Sequence, residues 1–399
     1  MRMIGTVARG VRTPIIREGD DLASMVVESL MAASKESNFA FHDRDVVCMT
    51  EAIVARAQGN YATVDQMAKD IRDKFPEGEV GLFNPIFSRN RFSMNLRAMA
   101  RAMDKIYLQM TYPSDEVGNQ LITVEAMDDA GLDPYNDVIS EKEFYDRFGD
   151  VGHPFTGVDY IKFYRDIVES ENCELVIFLA NQPREILKYT KNIITCDIHT
   201  KERSKRRLKA AGAEVVYGLD DIMTHSVDGS GCNEKYGLLG SNKASEEKVK
   251  LFPRDCQSFV NNVAEQLKEV TGKNIEVMIY GDGGFKDPRG GIWEFADPVV
   301  SPGFTQGLSG LPNELKLKYL ADNEFADLEG DALRNAIEEK IQAKDKDLKG
   351  NMESEGTTPR HLTDLLGSLA DLVSGSGDKG TPVVFIQGYF DNFTTGLED

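Results

Sequence analysis

Three short apolar runs, "CELVIFLAN", "NIITCDI" and "AEVVYGL", constrain the fold more than any other feature of the chain. They are separated by "PREILKYT" and "TKERSKRRLKAAG", which read as helices. Strand–helix–strand–helix–strand is the pattern of a small α/β unit, because parallel strands need a crossover and a helix supplies it. Residues 84–227 therefore read as an inserted α/β subdomain.

Around this insert the chain reads as a second, discontinuous unit. In its first part, 1–83, "GVRTPIIREGDDLASMVVESLMAA" offers Asp20 and Asp21 as N-caps, followed by Leu22, Met25, Val26 and Leu30 at helical spacing. "DRDVVCMTEAIVARAQG" reads as a strand over Val46–Met49 running into an irregular turn, with Arg56 just beyond, and "DQMAKDIRDKF" reads as a helix. Its second part, 228–312, holds the loop-rich "GSGCNEKYGLLGSNKASEEKVKLFP", a helix ending on Gly272, and an apolar strand that stops at Gly281-Asp282-Gly283-Gly284. Residues 313–355 form a charged helical excursion. In the last part, 356–399, Leu362, Leu365, Leu366, Leu369, Leu372 and Val373 form an amphipathic stripe before a Ser/Gly turn and a buried-type strand, Val383 to Ile386.

The chain has 399 residues, enough for two or three domains. Its 46 Lys+Arg against 66 Asp+Glu give a net charge of −20, so an anionic substrate needs a local positive patch or a metal. The five cysteines (Cys48, Cys173, Cys196, Cys232, Cys256) are odd in number and contain no CxxC, which argues against a disulfide frame or a zinc knuckle. Nothing resembles a signal peptide or approaches 18 consecutive apolar residues, so the expectation is a soluble cytoplasmic protein with no membrane partner.

Five loops, 10–21, 50–59, 237–245, 281–291 and 374–381, are rich in Gly, Ser, Thr or Asp. Glycine frees backbone N–H groups to cradle phosphate oxygens, and Ser, Thr, Asn and Asp supply the oxygen donors that Mg²⁺ or Mn²⁺ wants. No G-x-x-x-x-G-K-[ST] and no G-x-G-x-x-G after a strand is present, so neither a P-loop nor a Rossmann dinucleotide site is supported. There is no GxSxG and no Cys/His pair for nucleophilic catalysis. Asp282 between glycines reads as a tight turn or as a carboxylate placed for a metal. Asp197 and His199 follow the strand "IITC" where α/β units often bind ligands. The run Lys201, Arg203, Lys205, Arg206, Arg207, Lys209 reads first as a solvated helix face and second as a dock for a polyanion, RNA included.

"TPIIREGDDLASMVVESL", "DRDVVCMTEAIVARAQG", "VTGKNIEVMIYGD" and "ADLVSGSGDKGTPVVFIQG" resemble the coenzyme F-420 gamma-glutamyl ligase family. The resemblance implies a homodimeric α+β enzyme that joins L-glutamate to the carboxylate of a deazaflavin precursor, using GTP and divalent metals. Carried over residue by residue, it implies nucleotide contacts at Arg12, Thr13, Pro14, Glu51, Arg56 and Ser245 and at the turn Gly375, Ser376, Gly377, Asp378. It implies metal ligation at Asp282, Asn242 and Ser376, and catalytic roles for Asp282 and Arg56. The sequence departs from the family pattern at four of these positions: Arg56 stands where the family has lysine, Ser245 where it has asparagine, and Asn242 and Ser376 where it has acidic ligands.

The expectation is an α/β (α+β) chain: a discontinuous ligase-like core with an inserted small α/β subdomain. Its expected activity is nucleotide-dependent ligation of L-glutamate, or another amine, to a small-molecule carboxylate through an acyl phosphate, with GTP (or ATP) and Mg²⁺ or Mn²⁺. The alternatives are a catalytically inactive or regulatory ligand-binding relative, and an RNA-modifying ligase using 201–209.

Overall fold

Both ends of the chain contribute strands to one five-stranded sheet, whose order is Val7–Val11, Val383–Gln387, Val46–Thr50, Glu276–Tyr280, Gly303–Phe304. The computed structural model describes residues 3–88, 91–116, 118–153, 157–281, 299–348, 350–355, 360–374 and 378–395, and the backbone of a short hairpin, Phe285–Lys286 with Trp293–Glu294. In the central strands successive side chains point to opposite faces, so each strand serves two cores. Val47, Met49, Val277, Ile279, Val383 and Phe385 pack under the helices Leu22–Ser37 and Cys256–Thr271. Val46, Cys48, Met278, Tyr280, Val384 and Ile386 meet Leu366 and Ala370 of the helix Leu362–Ser374. The result is a three-layer α/β/α arrangement.

Local chemistry explains the helix boundaries. Asp21 accepts from the backbone of Ser24 and caps the first helix, as its sequence predicts, and Gly272 ends the helix Cys256–Thr271 at φ 69°. Two expectations are corrected. The segment after Val46–Thr50 is not an irregular turn but a helix, Glu51–Ala57, in which Glu51, Ala52, Ala55, Arg56 and Ala57 favour helix and outweigh the β-branched Ile53 and Val54. Leu372, placed in the apolar stripe of the last long helix, is 75% exposed, and Leu362, Leu366 and Ala370 carry the buried face.

A second sheet has six strands in the order Ile139–Ser140, Glu174–Leu179, Lys105–Met110, Glu79–Asn84, Asn192–Thr195, Val215–Gly218. All pairs are parallel except the one made by the edge strand Ile139–Ser140. The three strands read from the sequence are joined by Glu79–Asn84 and Lys105–Met110, which run through the middle of the sheet. Starting at Glu79–Asn84, the chain builds outward through Lys105–Met110 to Glu174–Leu179. It then returns to lay Asn192–Thr195 and Val215–Gly218 on the other side. Helices cover both faces: Val64–Lys74, Phe92–Ala102 and Tyr160–Ser170 on one, the 3-10 turn Pro183–Lys188 and the helix Lys201–Ala210 on the other. This is a doubly wound sheet whose direction of growth reverses between Asn84 and Thr195.

The stretch that reads as loop supplies two strands, Asn242–Ser245 and Lys248–Lys250, of a small antiparallel sheet completed by Tyr61–Thr63. Arg101 joins it to the doubly wound unit by donating to Glu247 of the hairpin turn, to Glu171 and to Asp65. Among the described residues no helix is long and apolar enough to cross a membrane, and all five cysteines are free thiols.

Candidate active site

Strand register brings four of the five phosphate-friendly loops to one end of the five-stranded sheet. Val11 pairs with Val383, Val383 with Met49, and Thr50 with Tyr280. Arg12, Pro382, Glu51 and Gly281 are therefore the first residues beyond four adjacent strands. Backbone bonds tie the rim: Thr50 N–H donates to Pro382 at 3.1 Å, and Gly281 N–H donates to Val300 at 2.8 Å. Asp282 comes next in the chain and lies outside the described residues, as do Gly375, Ser376 and Gly377.

Arg12 is exposed, and its Nε donates to the carbonyl of Lys379 at 3.3 Å, which links the first loop to the C-terminal bend. Thr13 is half-buried, while Pro14 and Asp378 are exposed. Thr381 donates its hydroxyl to the Ser374 carbonyl at 2.8 Å and so closes the bend on itself. Gly10 faces this hydroxyl residue so closely that a Cβ there would lie 3.0 Å from Thr381 Cβ. Arg56 sits in the last turn of Glu51–Ala57 with its Nε donating to the Ile16 carbonyl at 2.6 Å, which fixes the far end of the 10–16 loop. The structure thus places Arg12, Thr13, Pro14, Arg56 and Asp378 around one rim.

Glu51 has a different setting. It is buried, and both carboxylate oxygens accept from Lys250 Nζ at 2.7 and 2.9 Å. Lys250 is the register partner of Asn242, so this ion pair also fastens the "GSNKAS" segment to the helix start at the rim. Ser245 lies at the other end of that strand and is exposed. There the turn is held by Arg97, which donates to the Glu246 carbonyl, and by Arg101. Sequence reasoning missed Lys250, Lys379 and Thr381. Lys250 acts through a partner 199 residues away, Lys379 through its backbone carbonyl, and Thr381 through the bend it closes and the close approach of Gly10 from the other end of the chain; none of these leaves a local pattern.

Among the described residues no group of three or more His, Cys, Asp or Glu is placed to hold a metal ion. With Glu51 engaged by Lys250, the described donors do not fit a protein-built cation cage. Asn242 alone of the three expected ligands is described, and it is half-buried in its strand. The basic helix Lys201–Ala210 is partly turned inward: Lys205 pairs with Asp220 at 2.8 Å and with Asp221 at 2.7 Å, leaving Arg203, Arg206, Arg207 and Lys209 exposed.

No curated protein matches the chain. The sequence pattern of a family described as F420-0:Gamma-glutamyl ligase matches residues 10–388, which takes in the five-stranded sheet except for the start of its first strand, the doubly wound unit and the charged helices. Spanning nearly the whole chain, that match makes this protein a member of the F420-0:gamma-glutamyl ligase family.

Proposed function

We propose that the chain is a nucleotide-dependent ligase that joins L-glutamate to a small-molecule carboxylate through an acyl phosphate, with GTP, or ATP in its place, as phosphoryl donor. The observation that carries this reading is the convergence of the 10–14, 50–56, 281 and 378–382 segments on one end of the five-stranded sheet. A carboxylate does not accept an amine at neutral pH, because oxide is a poor leaving group. In the first step a substrate carboxylate oxygen attacks the γ-phosphorus and the nucleoside diphosphate leaves. In the second the glutamate amine attacks the acyl carbon, the C–O bond to phosphate breaks, and the amine gives up a proton.

Such chemistry asks the protein for positioning and for neutralisation of crowded anions rather than for a nucleophilic side chain. The two guanidinium groups, Arg12 and Arg56, are suited to phosphate oxygens, to which an arginine presents a rigid fork of donors. Each uses its Nε in the contact described above, and both side chains belong to exposed residues. A divalent cation would arrive with the nucleotide phosphates. The described residues do not themselves build its site.

A second reading, a family member that binds nucleotide without turnover, is favoured by one observation: Glu51 is spent on Lys250. Incubating the protein with GTP, Mn²⁺, labelled glutamate and a cell extract separates the two. The ligase reading requires a nucleotide-dependent labelled product with the mass of an amide adduct. Tight GTP binding with no such product would leave only the non-catalytic reading.

A further inference from the structure

The basic helix Lys201–Ala210 takes no part in the rim, and it is held rigidly on the doubly wound unit. Asp197, the residue after "IITC", is fully buried and accepts from the Thr200 backbone and hydroxyl and from the Ser204 hydroxyl, which anchors the first turn. Ser204 and Leu208 face the sheet, and Lys205 is tied to Asp220 and Asp221. At 3.6 residues per turn those contacts leave Arg203, Arg206 and Arg207 together on the outer face, and all three are exposed. Glu202 is the only acidic residue in the helix.

Packing extends this charge beyond the helix. The 3-10 turn Pro183–Lys188 lies alongside, with its Ile186 in one apolar cluster with Leu208, and Arg207 Nη2 donates to the Gln182 side-chain oxygen at 2.9 Å. Arg184 and Lys188 project from the turn, 67% and 69% exposed. They share one carboxylate, Glu185, at 3.5 and 2.6 Å, so a net positive charge remains there as well. In a chain of net charge −20 this ridge is a local reversal of sign, and at short range its field outweighs that of carboxylates more than a Debye length away.

The ridge ends on aromatic rings. Tyr189 follows Lys188 directly and is 40% exposed, with its ring stacked on Phe178 at 4.7 Å and tilted against Tyr107 at 5.2 Å. Tyr107 lies on the strand Lys105–Met110 in register with Val176, and both are half-buried. Three helices cover the opposite face of this sheet, whereas here the cover is the 3-10 turn and the basic helix, so Tyr107 and Val176 keep an open side. The basic run contains no aromatic residue of its own. The fold supplies one by bringing the Lys105–Met110 and Glu174–Leu179 strands under Tyr189.

We propose that this face of the doubly wound unit is a docking surface for single-stranded RNA. Arg203, Arg206, Arg207 and Arg184 take the phosphates, and Tyr189 stacks a base, a combination that binds single strands with little regard to sequence. A duplex hides the faces of its bases, and an acidic polypeptide would use the ridge but have nothing to stack on the rings. A stacked base also brings its ribose 2′-hydroxyl to the edge of the phenol, where a tyrosine hydroxyl bonds it, and that favours RNA over DNA. The assignment is independent of the ligase reading and uses none of the residues at the rim.

The test is fluorescence anisotropy of the full chain with a fluorescein-labelled oligouridine of about 20 nucleotides, in about 50 and 200 mM salt. The expected result is a Kd below about 10 μM at the lower salt, weakened about tenfold or more at the higher. Arg203→Gln combined with Arg206→Gln and Arg207→Gln, all on an exposed face, should weaken binding about tenfold or more and flatten its salt dependence. Tyr189→Leu should weaken it about fivefold or more and leave the salt dependence as it was, and Arg12→Ala should change nothing. Poly-L-glutamate of matched length should compete about tenfold less well than unlabelled RNA, and this arm decides whether the bases matter if Tyr189→Leu fails to fold. Absence of RNA binding at the lower salt, full affinity in the triple variant or in a folded Tyr189→Leu, loss of affinity in Arg12→Ala, equal competition by poly-L-glutamate, or equal affinity for oligodeoxyuridine would each overturn the proposal.

Discussion

Lys250 Nζ donates to both carboxylate oxygens of Glu51, at 2.7 and 2.9 Å, across 199 residues of chain. The two side chains are 10% and 6% exposed, so the pair is sealed from water. Removing one member of such a pair strands a buried charge, whereas removing both costs much less. Lys250→Met should therefore destabilise the protein by about 3–5 kcal/mol, and Glu51→Gln combined with Lys250→Met should recover most of that loss. Urea denaturation of the two single variants and the double variant measures the coupling. Equal stability of Lys250→Met and wild type would mean that the pair does not hold the small sheet to the rim.

The close approach of Gly10 to Thr381 gives a second prediction. A Cβ at position 10 would sit 3.0 Å from Thr381 Cβ, and that side chain is pinned by its bond to the Ser374 carbonyl. The neighbour cannot swing away without losing the bond that closes the bend. Gly10→Val should cost about 1–3 kcal/mol through overpacking. Thermal melting checks this, and Gly10→Val combined with Thr381→Ala should regain part of the loss.

Glu116 supplies a pH dependence. Burial of its carboxyl, with the nearby charges of Asp197 and then Asp115, pushes its pKa up to about 8 from an ordinary carboxyl value. The folded state thus holds this proton more tightly than the unfolded chain. The stability it contributes is fully present below the unfolded pKa and is lost as pH rises through about 8. The residue keeps an exposed side, so the effect is modest in size. Glu116→Gln should melt close to the wild type at pH 4 and above it at pH 9. A wild type that melts higher at pH 9 would contradict the setting described for this carboxyl.

What the sequence disclosed, and what it withheld, follows from range. The helices Leu22–Ser37 and Cys256–Thr271 and the strand Val383–Gln387 announce themselves through local periodicity, an aspartate cap and a glycine stop. The strands Glu79–Asn84 and Lys105–Met110 escape because "EVGLFN" and "KIYLQM" are short and mix polar with apolar residues. They are strands because neighbours on both sides complete their ladders, a tertiary cause that leaves no period in the sequence. The hairpin "NKASEEKVK" hides for the same reason, with Val249 and Lys250 its buried members. Glu51 shows the limit most sharply: its motif position suggested contact with nucleotide, and nothing local reveals the lysine that occupies it. At the rim, the loop compositions were legible one by one, whereas their meeting depends on a register between strands drawn from opposite ends of the chain.

The nucleotide site at that rim is the central claim, and a calorimetric titration with GTP in the presence of Mn²⁺ tests it most directly. The account predicts saturable binding of one nucleotide per chain, dependent on the cation, and weakened by about tenfold or more in Arg12→Ala, which removes a charge-assisted phosphate contact. Asp282→Ala should abolish the dependence on the cation. Absence of binding at millimolar GTP, or affinities that are the same in wild type, Arg12→Ala and Asp282→Ala, would contradict it.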